Sequence, residues 1–291
     1  MAVWSEPSQY SVFMKALDSI WDIPTNNVLR KRIGGAVMPF ADTNGVRIHY
    51  QVEGAGPPLL LHHGLTGSLE DWREFGYVDS LKGDYQLILM DARGHGASDK
   101  PHNPEVYTME HRVSDVTAVL DDLSISSAHF FGYSYGGRAG LEFAKLAPGR
   151  VRSLIVGASN AGGRNPGDPN PVLQLLEAGP ETLVATFEQS GPVSPGWRAR
   201  LLANDMEALI AISKSPRLSL EEDLPGMTMP FLVYAGESDD LVSHTEVNEY
   251  AKRLPNATFF SLPGLDHLQG FTQRDVVLPH VEKFLTEVGH A

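Results

Sequence analysis

The sequence predicts an α/β fold in which helices cover both faces of a mostly parallel central sheet and a helical cap is inserted into the chain. Short apolar runs end abruptly at Gly, His or Asp, as buried parallel strands do, and they read PLLLHHG, QLILMDARGHG, AHFFGYS, RSLIVGAS, PFLVYAG and ATFFSLPG. Segments of helical period separate these runs, which predicts alternating strands and helices. In such a sheet, ligands bind beyond the carboxyl ends of the strands.

Length and composition restrict the classes of function. The chain has 291 residues, enough for one large core with an insertion. Its net charge of −13 would repel phosphate backbones, so we expect no nucleic-acid partner. The absence of cysteine excludes disulfides and thiolate chemistry. The N-terminus lacks a signal-peptide pattern and no run of about 18 apolar residues occurs, so we expect a cytoplasmic protein without a membrane span, monomeric or homodimeric.

The N-terminal segment, residues 1–35, is predicted to be a helical extension. The apolar residues Phe13, Leu17, Ile20 and Trp21 recur there at roughly helical spacing. Their face would pack on the main body or on a partner chain.

The main body is predicted to comprise residues 36–158 and 227–291. It opens with a hairpin around Asn44 and Gly45, a dipeptide suited to a tight turn in which both central residues have positive φ. A helix is predicted over residues 108–123, because apolar side chains recur there along one face.

The insertion, residues 159–226, interrupts the alternation of strands and helices. It begins with the Gly-, Pro- and Asn-rich stretch NAGGRNPGDPNP and continues with weakly helical sequence. An insertion of this size at the active end of a sheet is predicted to form a cap over the site.

Ser134 lies in AHFFGYSYGGRAGLEFAKLA, where a predicted strand meets a predicted helix. Such a turn brings the helix start close to the strand, so flanking positions such as Gly132 and Gly136 require residues without a Cβ. The turn would raise the serine hydroxyl above the sheet, at a helix N-terminus that favours negative charge. A glycine-rich helix start with an incidental serine gives the same pattern, so this motif alone leaves the function open.

Two further motifs, LLLHHGLTGS and MDARGHGASD, precede this Gly-x-Ser-x-Gly motif, and from about Met38 onwards the sequence resembles the α/β-hydrolase fold family. The resemblance implies a nucleophile, an acid and a base in the chain order Ser, acid, His. Ser134 is then the nucleophile and His267, in LPGLDHLQG, the base. The family pattern of Gly, any two residues and Asp selects Asp239 as the acid. The adjacent Asp240 stays an alternative, because the two carboxylates are only one residue apart.

The resemblance also implies an oxyanion hole formed by the backbone N–H groups of Leu65 and Tyr135. His63 would brace the loop before Leu65 by hydrogen bonding. The alternative is a metal site at His62, His63 and Asp91. Adjacent histidines on a strand point to opposite faces, so we expect no metal ion there, and the family implies no cofactor.

Other prominent residues near these motifs are interpreted as structural. Asp91 and Arg93 are expected to tie their loop together as an ion pair, and His95 to fill a turn. Trp72 is interpreted as core packing.

Six residues are candidates for a substrate pocket, because they adjoin the motif residues or belong to the predicted cap: Thr66, Tyr133, Phe187, Asp240, Leu241 and Leu268. Two of them have a second interpretation. Tyr133 would equally support the turn at Ser134, and Phe187 would equally pack the cap onto the core.

The predicted function is that of a serine hydrolase, which cleaves a small-molecule carboxylic ester or lactone through an acyl-enzyme. Fold and triad do not fix the chemistry, so three alternatives stay open. The first is the same site on another bond, as in a carbon–carbon bond hydrolase, an acyltransferase, an amidase or a perhydrolase. The second is a lyase, and the third a receptor-like binding protein with negligible turnover.

Overall fold

The computed structural model of the protein describes residues 21–22, 29–33, 36–165 and 167–289. The described strands form one sheet, in the order β1-β2-β3-β4-β6-β5-β7-β8-β9-β10. Their bounds are β1 Trp21–Asp22, β2 Leu29–Ile33, β3 Ala36–Thr43, β4 Val46–Glu53, β5 Pro58–His62, β6 Gln86–Met90, β7 Ala128–Tyr133, β8 Val151–Gly157, β9 Phe231–Gly236 and β10 Ala257–Leu262. The six strands from β5 to β10 pair in parallel, and β1 to β4 add an antiparallel edge.

The described α-helices are α1 Leu69–Glu74, α2 Tyr77–Leu81, α3 Met109–Asp122, α4 Tyr135–Leu146, α5 Pro171–Glu177, α6 Pro180–Ser190, α7 Pro195–Leu202, α8 Met206–Lys214, α9 His244–Ala251, α10 Gln269–Thr272 and α11 Arg274–Gly289. Short 3₁₀ turns in the described residues lie at Pro104–Tyr107, Pro148–Arg150 and Leu224–Gly226. Within the described residues, no helix combines the length and apolar character that crossing a bilayer requires.

Both faces of the parallel strands from β5 to β9 are buried. Alternate residues of one strand enter different apolar clusters: Leu60 packs on the face covered by α3 and α4, whereas Leu59 and Leu61 pack on the face covered by α1, α2 and α11. Full burial of such a side chain contributes about 1.5–3 kcal/mol, which is why these strands read as continuous apolar runs. The predicted α/β class and mostly parallel sheet are confirmed.

The local predictions for the antiparallel edge have different outcomes. The hairpin is confirmed, because Asn44 and Gly45 join β3 to β4 with φ values of 55° and 80°. The helical spacing over Phe13, Leu17 and Ile20 lies outside the described residues. Trp21, which that spacing included, belongs to β1 and not to a helix. Its backbone is held in an antiparallel pairing with β2, which overrides the local helical period.

The chain between β8 and β9 contains the four helices α5 to α8. Its first and last parts lie side by side and are joined by an antiparallel bridge between Arg164 and Arg217. We call residues 159–226 the cap segment, after the function predicted for them. Helices α5 and α8 pack on one another, as do α6 and α7.

Candidate active site

The turn between β7 and α4 places Ser134 in a strained backbone conformation. Its φ and ψ are 54° and −111°, outside the regions that L-residues ordinarily adopt, at a typical cost of about 1–3 kcal/mol. A Cβ at Gly132 would lie 2.2 Å from the carbonyl oxygen of Gly136, and a Cβ at Gly136 would lie 2.0 Å from that of His62. The glycines are therefore a steric requirement of the turn, as the sequence indicates.

The structure brings Ser134, His267 and Asp239 together in one chain of hydrogen bonds. Nε2 of His267 lies 3.0 Å from Oγ of Ser134, and Nδ1 lies 2.8 Å from Oδ2 of Asp239. The other carboxylate oxygen, Oδ1, accepts the backbone N–H groups of Leu241 at 2.9 Å and Val242 at 2.8 Å. Because the carboxylate only accepts, Nδ1 carries the ring proton and the lone pair of Nε2 faces the serine hydroxyl. This arrangement can deprotonate the hydroxyl for nucleophilic attack.

The two neighbouring aspartates differ in their surroundings. The side chain of Asp239 has no exposed surface, whereas Asp240 is exposed. The loop after β9 turns Asp239 inwards against His267 and leaves the next residue outside. The carboxylate that contacts the imidazole is therefore the one selected by the Gly-x-x-Asp pattern.

The loop after β5 lies directly against this serine, since a Cβ at Gly64 would lie 3.7 Å from Cβ of Ser134. The carbonyl oxygen of Gly64 accepts Nδ1–H of His63 at 2.7 Å and the N–H of Gly67 at 3.0 Å. A trans peptide is planar, so fixing this carbonyl directs the N–H of Leu65 the opposite way. The N–H of Tyr135, at the first position of α4, has no partner within the helix. These two amides are the donors that the sequence predicts for an oxyanion.

Comparison with known proteins identifies the family. A family model described as alpha/beta hydrolase fold matches residues 57–190. The "Putative carbamate hydrolase RutD" of Stutzerimonas stutzeri (strain A1501) is 31% identical over 236 residues, which cover 72% of this chain and 84% of the relative. The chain belongs to the α/β-hydrolase fold family. The resemblance that the sequence motifs indicated is thereby confirmed.

Two further proteins are similar to this α/β-hydrolase over most of their length. The "Putative 2-succinyl-6-hydroxy-2,4-cyclohexadiene-1-carboxylate synthase" of Bacillus subtilis (strain 168) is 28% identical over 274 residues, covering 84% of this chain and 97% of the relative. The crystal structure of the enol-lactonase from Burkholderia xenovorans LB400 superposes with a TM-score of 0.76 at 25% identity, covering 85% of this chain and all of the other.

Buried histidines hold the loop before Leu65 of this α/β-hydrolase. Nε2 of His63 accepts the N–H of Ala92 at 3.0 Å, so its two ring nitrogens join that loop to the one after β6. The predicted brace is present in the geometry. His95, interpreted as filling a turn, does more, because its Nε2 contacts the carbonyl oxygen of Leu65 and its Nδ1 lies 3.0 Å from that of Arg93.

Asp91 and Arg93 do not pair with each other, contrary to the prediction. Asp91 binds Nδ1 of His49 at 2.7 Å, and Arg93 binds Asp115 at 2.6 Å. Both partners come from elements distant in sequence, β4 and α3, so no local pattern reveals them. Across the described part of the chain, no group of three or more His, Cys, Asp or Glu side chains has the arrangement of a metal site.

Because these histidines are buried, we expect the free energy of unfolding to depend on pH. Burial lowers the pKa of His62 and His63 to about 4 and that of His95 to about 3. In the unfolded chain these three histidines bind protons near pH 6.5, whereas in the folded state they stay neutral down to about pH 4 or below. Their neutral forms therefore contribute fully to the free energy of unfolding above pH 6.5, and this contribution is lost as the pH falls. Each group contributes a slope of roughly 1.4 kcal/mol per pH unit in that window.

The measurement is the free energy of unfolding in urea between pH 7.5 and 5. His62→Phe is expected to lower the slope by up to roughly 1.4 kcal/mol per pH unit, since it removes one of these titrations. His129, whose pKa burial also lowers to about 4, adds a fourth titration of the same sign. His102→Asn is the control and is expected not to lower the slope, because the hydrogen bond to Asp205 raises the pKa of this half-exposed histidine and so gives it the opposite sign. A free energy that stays constant down to pH 5 would contradict the assignment of these groups as neutral in the fold.

The six pocket candidates of this α/β-hydrolase lie in different environments. Tyr133 is almost fully buried in the apolar cluster that also contains Phe131 and Tyr234, and its hydroxyl donates to the backbone carbonyl of His267. This contact fits the second interpretation, in which Tyr133 supports the site, because it holds the backbone of the residue that carries the imidazole. Asp240 and Leu241 are exposed. Thr66 is half-buried, and its carbonyl accepts the side-chain amide of Asn204 in the cap segment at 2.9 Å.

The cap segment contacts the site on two sides. On one side, half-buried Phe187 and Leu268 share an apolar cluster with Trp197, and Leu268 follows His267 in the chain. On the other side, the side chains of Leu65 and Tyr135 pack with a cluster that the sequence did not select: Tyr107, Leu176, Leu209, Ala211 and Ile212. The helical pattern of α5 and α8 shows an apolar face, but not which core residues it meets.

Proposed function

We propose that this protein is a serine hydrolase that cleaves a carboxylic ester or a lactone through an acyl-enzyme. The observation that carries the proposal is the continuous hydrogen-bonded chain from Ser134 through His267 to Asp239, with two backbone donors beside the serine. The similarity to the enol-lactonase and to the RutD relative supports hydrolysis of an acyl carbon. The cap segment is proposed to cover the site, which its contacts with Thr66 and Leu268 support.

In the acylation step, Oγ of Ser134 attacks the carbonyl carbon while Nε2 of His267 takes the hydroxyl proton. The carbonyl π bond becomes an oxyanion, and the amides of Leu65 and Tyr135 stabilise it. One such donor is worth about 10²–10³ in turnover in comparable sites. Collapse of the intermediate re-forms the carbonyl and breaks the ester C–O bond. The departing alkoxide takes the proton from His267, and in a lactone it stays attached to the acyl group.

In the deacylation step, a water molecule attacks the acyl-enzyme and gives its proton to His267. The bond between the acyl carbon and Oγ of Ser134 breaks, and the proton returns to Oγ. Asp239 stays ionised in both steps, because it holds the imidazole in one tautomer and stabilises the imidazolium. Its second oxygen is occupied by backbone N–H groups, so the carboxylate has a fixed orientation.

A short p-nitrophenyl ester tests the proposal directly. We expect a burst of nitrophenol, equal to the concentration of active sites, followed by steady turnover. A burst without turnover indicates a receptor-like protein. Little of either indicates a lyase, one of the alternatives that fold and triad leave open. Both of the latter results would overturn the proposed function.

Phe187→Ala is expected to change the acyl-chain preference. Phe187 is half-buried beside Leu268, so truncation would enlarge the space for a long acyl chain while an acetyl ester reaches only the nucleophile. One methylene is worth roughly 1–3 kcal/mol in an apolar pocket, so the kcat/KM ratio between octanoyl and acetyl esters should shift at least several-fold. The measurement is kcat/KM over a graded series of acyl lengths.

Leu183→Ala is the matched control for this variant. Leu183 lies in the same cluster but is fully buried. Its truncation should therefore lower the melting temperature and reduce kcat/KM for all esters to the same extent. If Phe187→Ala also lowers the melting temperature and reduces kcat/KM uniformly for all esters, Phe187 packs the cap segment and does not line the pocket.

A further inference from the structure

The two ends of the cap segment are joined to each other at the point where they leave the core. The N–H of Arg164 donates to the carbonyl of Arg217 at 2.7 Å, with the reciprocal bond at 3.3 Å, and the N–H of Leu220 donates to the carbonyl of Ala161 at 2.9 Å. We call residues 160–164 and 217–220 the neck. The NAGGR stretch contains two glycines, so its backbone alone would bend freely.

Arg138 reaches from the helix of the nucleophile into this neck. Its Nη1 donates to the carbonyl oxygens of Ala161 at 3.0 Å, Gly162 at 3.1 Å and Asn160 at 3.5 Å. Its Nη2 donates to the carbonyl of Leu218, on the other strand of the neck. One guanidinium thus binds both ends of the cap segment, and its planar geometry fixes their positions relative to it.

The guanidinium is itself held in place from the core side. Nε of Arg138 donates to Glu142 at 2.9 Å, one turn along α4, and Arg112 from α3 binds the same carboxylate at 2.6 and 2.7 Å. Glu142 is fully buried and Arg138 is 2% exposed. The backbone N–H of Arg138 donates to the carbonyl of Ser134 at 2.9 Å. Arg138 therefore binds the residue of the nucleophile through its backbone and the neck through its guanidinium.

We propose that Arg138 is a positioning residue that sets the distance between the cap segment and Ser134, so that the acyl pocket is preformed. This inference rests on the proposed function, because it concerns the substrate of the same site. A short acyl group, which does not reach the cap segment, should be insensitive to the link. A long acyl chain should lose binding when the link is cut, because the neck then samples several orientations.

The kinetic test compares Arg138→Gln and Arg138→Lys with the unaltered chain, on acetyl and octanoyl p-nitrophenyl esters. Arg138→Lys keeps the positive charge for Glu142 but cannot present a planar fork to both strands of the neck. For both variants we expect KM for the octanoyl ester to rise about tenfold or more, since misplacement of about 1 Å costs up to 10²-fold. The expected change in kcat/KM for the acetyl ester is less than about threefold.

The control is Arg150→Gln. Arg150 also binds backbone carbonyls, those of Ser126 and Ile125, but it lies away from the cap segment. It should leave the ratio of octanoyl to acetyl turnover unchanged.

Native-state trypsin digestion provides a test that does not depend on ester turnover. The neck contains two cleavage sites, Arg164 and Arg217, which its pairing protects. We expect cleavage there to accelerate about tenfold or more in Arg138→Lys, while Ser134 still reacts with a fluorophosphonate and so reports an intact core.

The inference is overturned if Arg138→Lys leaves both the octanoyl KM and the cleavage rate of the neck unchanged, or if acetyl and octanoyl esters lose activity in parallel. If Arg138→Gln does not fold, Arg138→Lys decides alone. Failure of the proposed function is distinguishable, because the unaltered chain would then turn over neither ester while the digestion experiment still measures the link.

Discussion

Replacing Ser134 by alanine is expected to reduce ester turnover by about 10⁶-fold and to abolish the acyl-enzyme, because triad members act as a unit in comparable hydrolases. The change removes one hydroxyl, which forms a hydrogen bond with Nε2 of His267. Alanine has the same Cβ as serine, so the backbone strain at φ 54° is unaltered and the melting temperature should change little. The measurement is steady-state turnover of an acetyl ester, with mass spectrometry of the intact chain for the covalent intermediate.

The matched control is Ser159→Ala. Ser159 is a buried serine at the end of the next strand, and its Cβ lies close to Gly137 in α4. It should retain turnover within about threefold, as expected of a serine outside the reacting atoms. Near-normal turnover in Ser134→Ala would refute the role proposed for this residue.

Replacing Asp239 by asparagine is expected to reduce turnover by about 10⁴-fold. The structure supplies a specific reason. The side-chain oxygen of asparagine must accept the N–H groups of Leu241 and Val242, which turns its NH₂ group towards Nδ1 of His267. Nδ1 must then accept, the ring proton moves to Nε2, and the imidazole can no longer take the proton of Ser134.

Asp240→Asn is the matched control for this prediction, since it removes the same charge from the adjacent position. Asp240 is exposed, so the change in turnover should stay within about threefold. Measuring kcat/KM for both variants on one ester decides between them. A larger loss in Asp240→Asn would mean that Asp240, and not Asp239, orients the base in solution.

The sequence by itself determined the features that depend on local physics. Continuous apolar runs predicted the buried parallel strands, because each face of such a strand must be apolar when helices cover both. The Asn-Gly dipeptide predicted the hairpin. The glycines around Ser134 predicted the tight turn, because a Cβ at Gly132 or Gly136 would lie about 2 Å from a backbone oxygen. The chain order of the motifs then identified His267 and Asp239 by resemblance.

Only the tertiary structure decided which side chains meet across long stretches of chain. Asp91 pairs with a histidine 42 residues away and not with Arg93, and Tyr133 turns into the core beneath His267, 134 residues further on. The link from Arg138 to Glu142 has helical i, i+4 spacing and was readable in principle, but its bond to Leu218 spans 80 residues. Such pairings depend on where each loop leaves the sheet. A linear pattern records the local backbone preference, whereas the loop directions follow from the packing of the whole core.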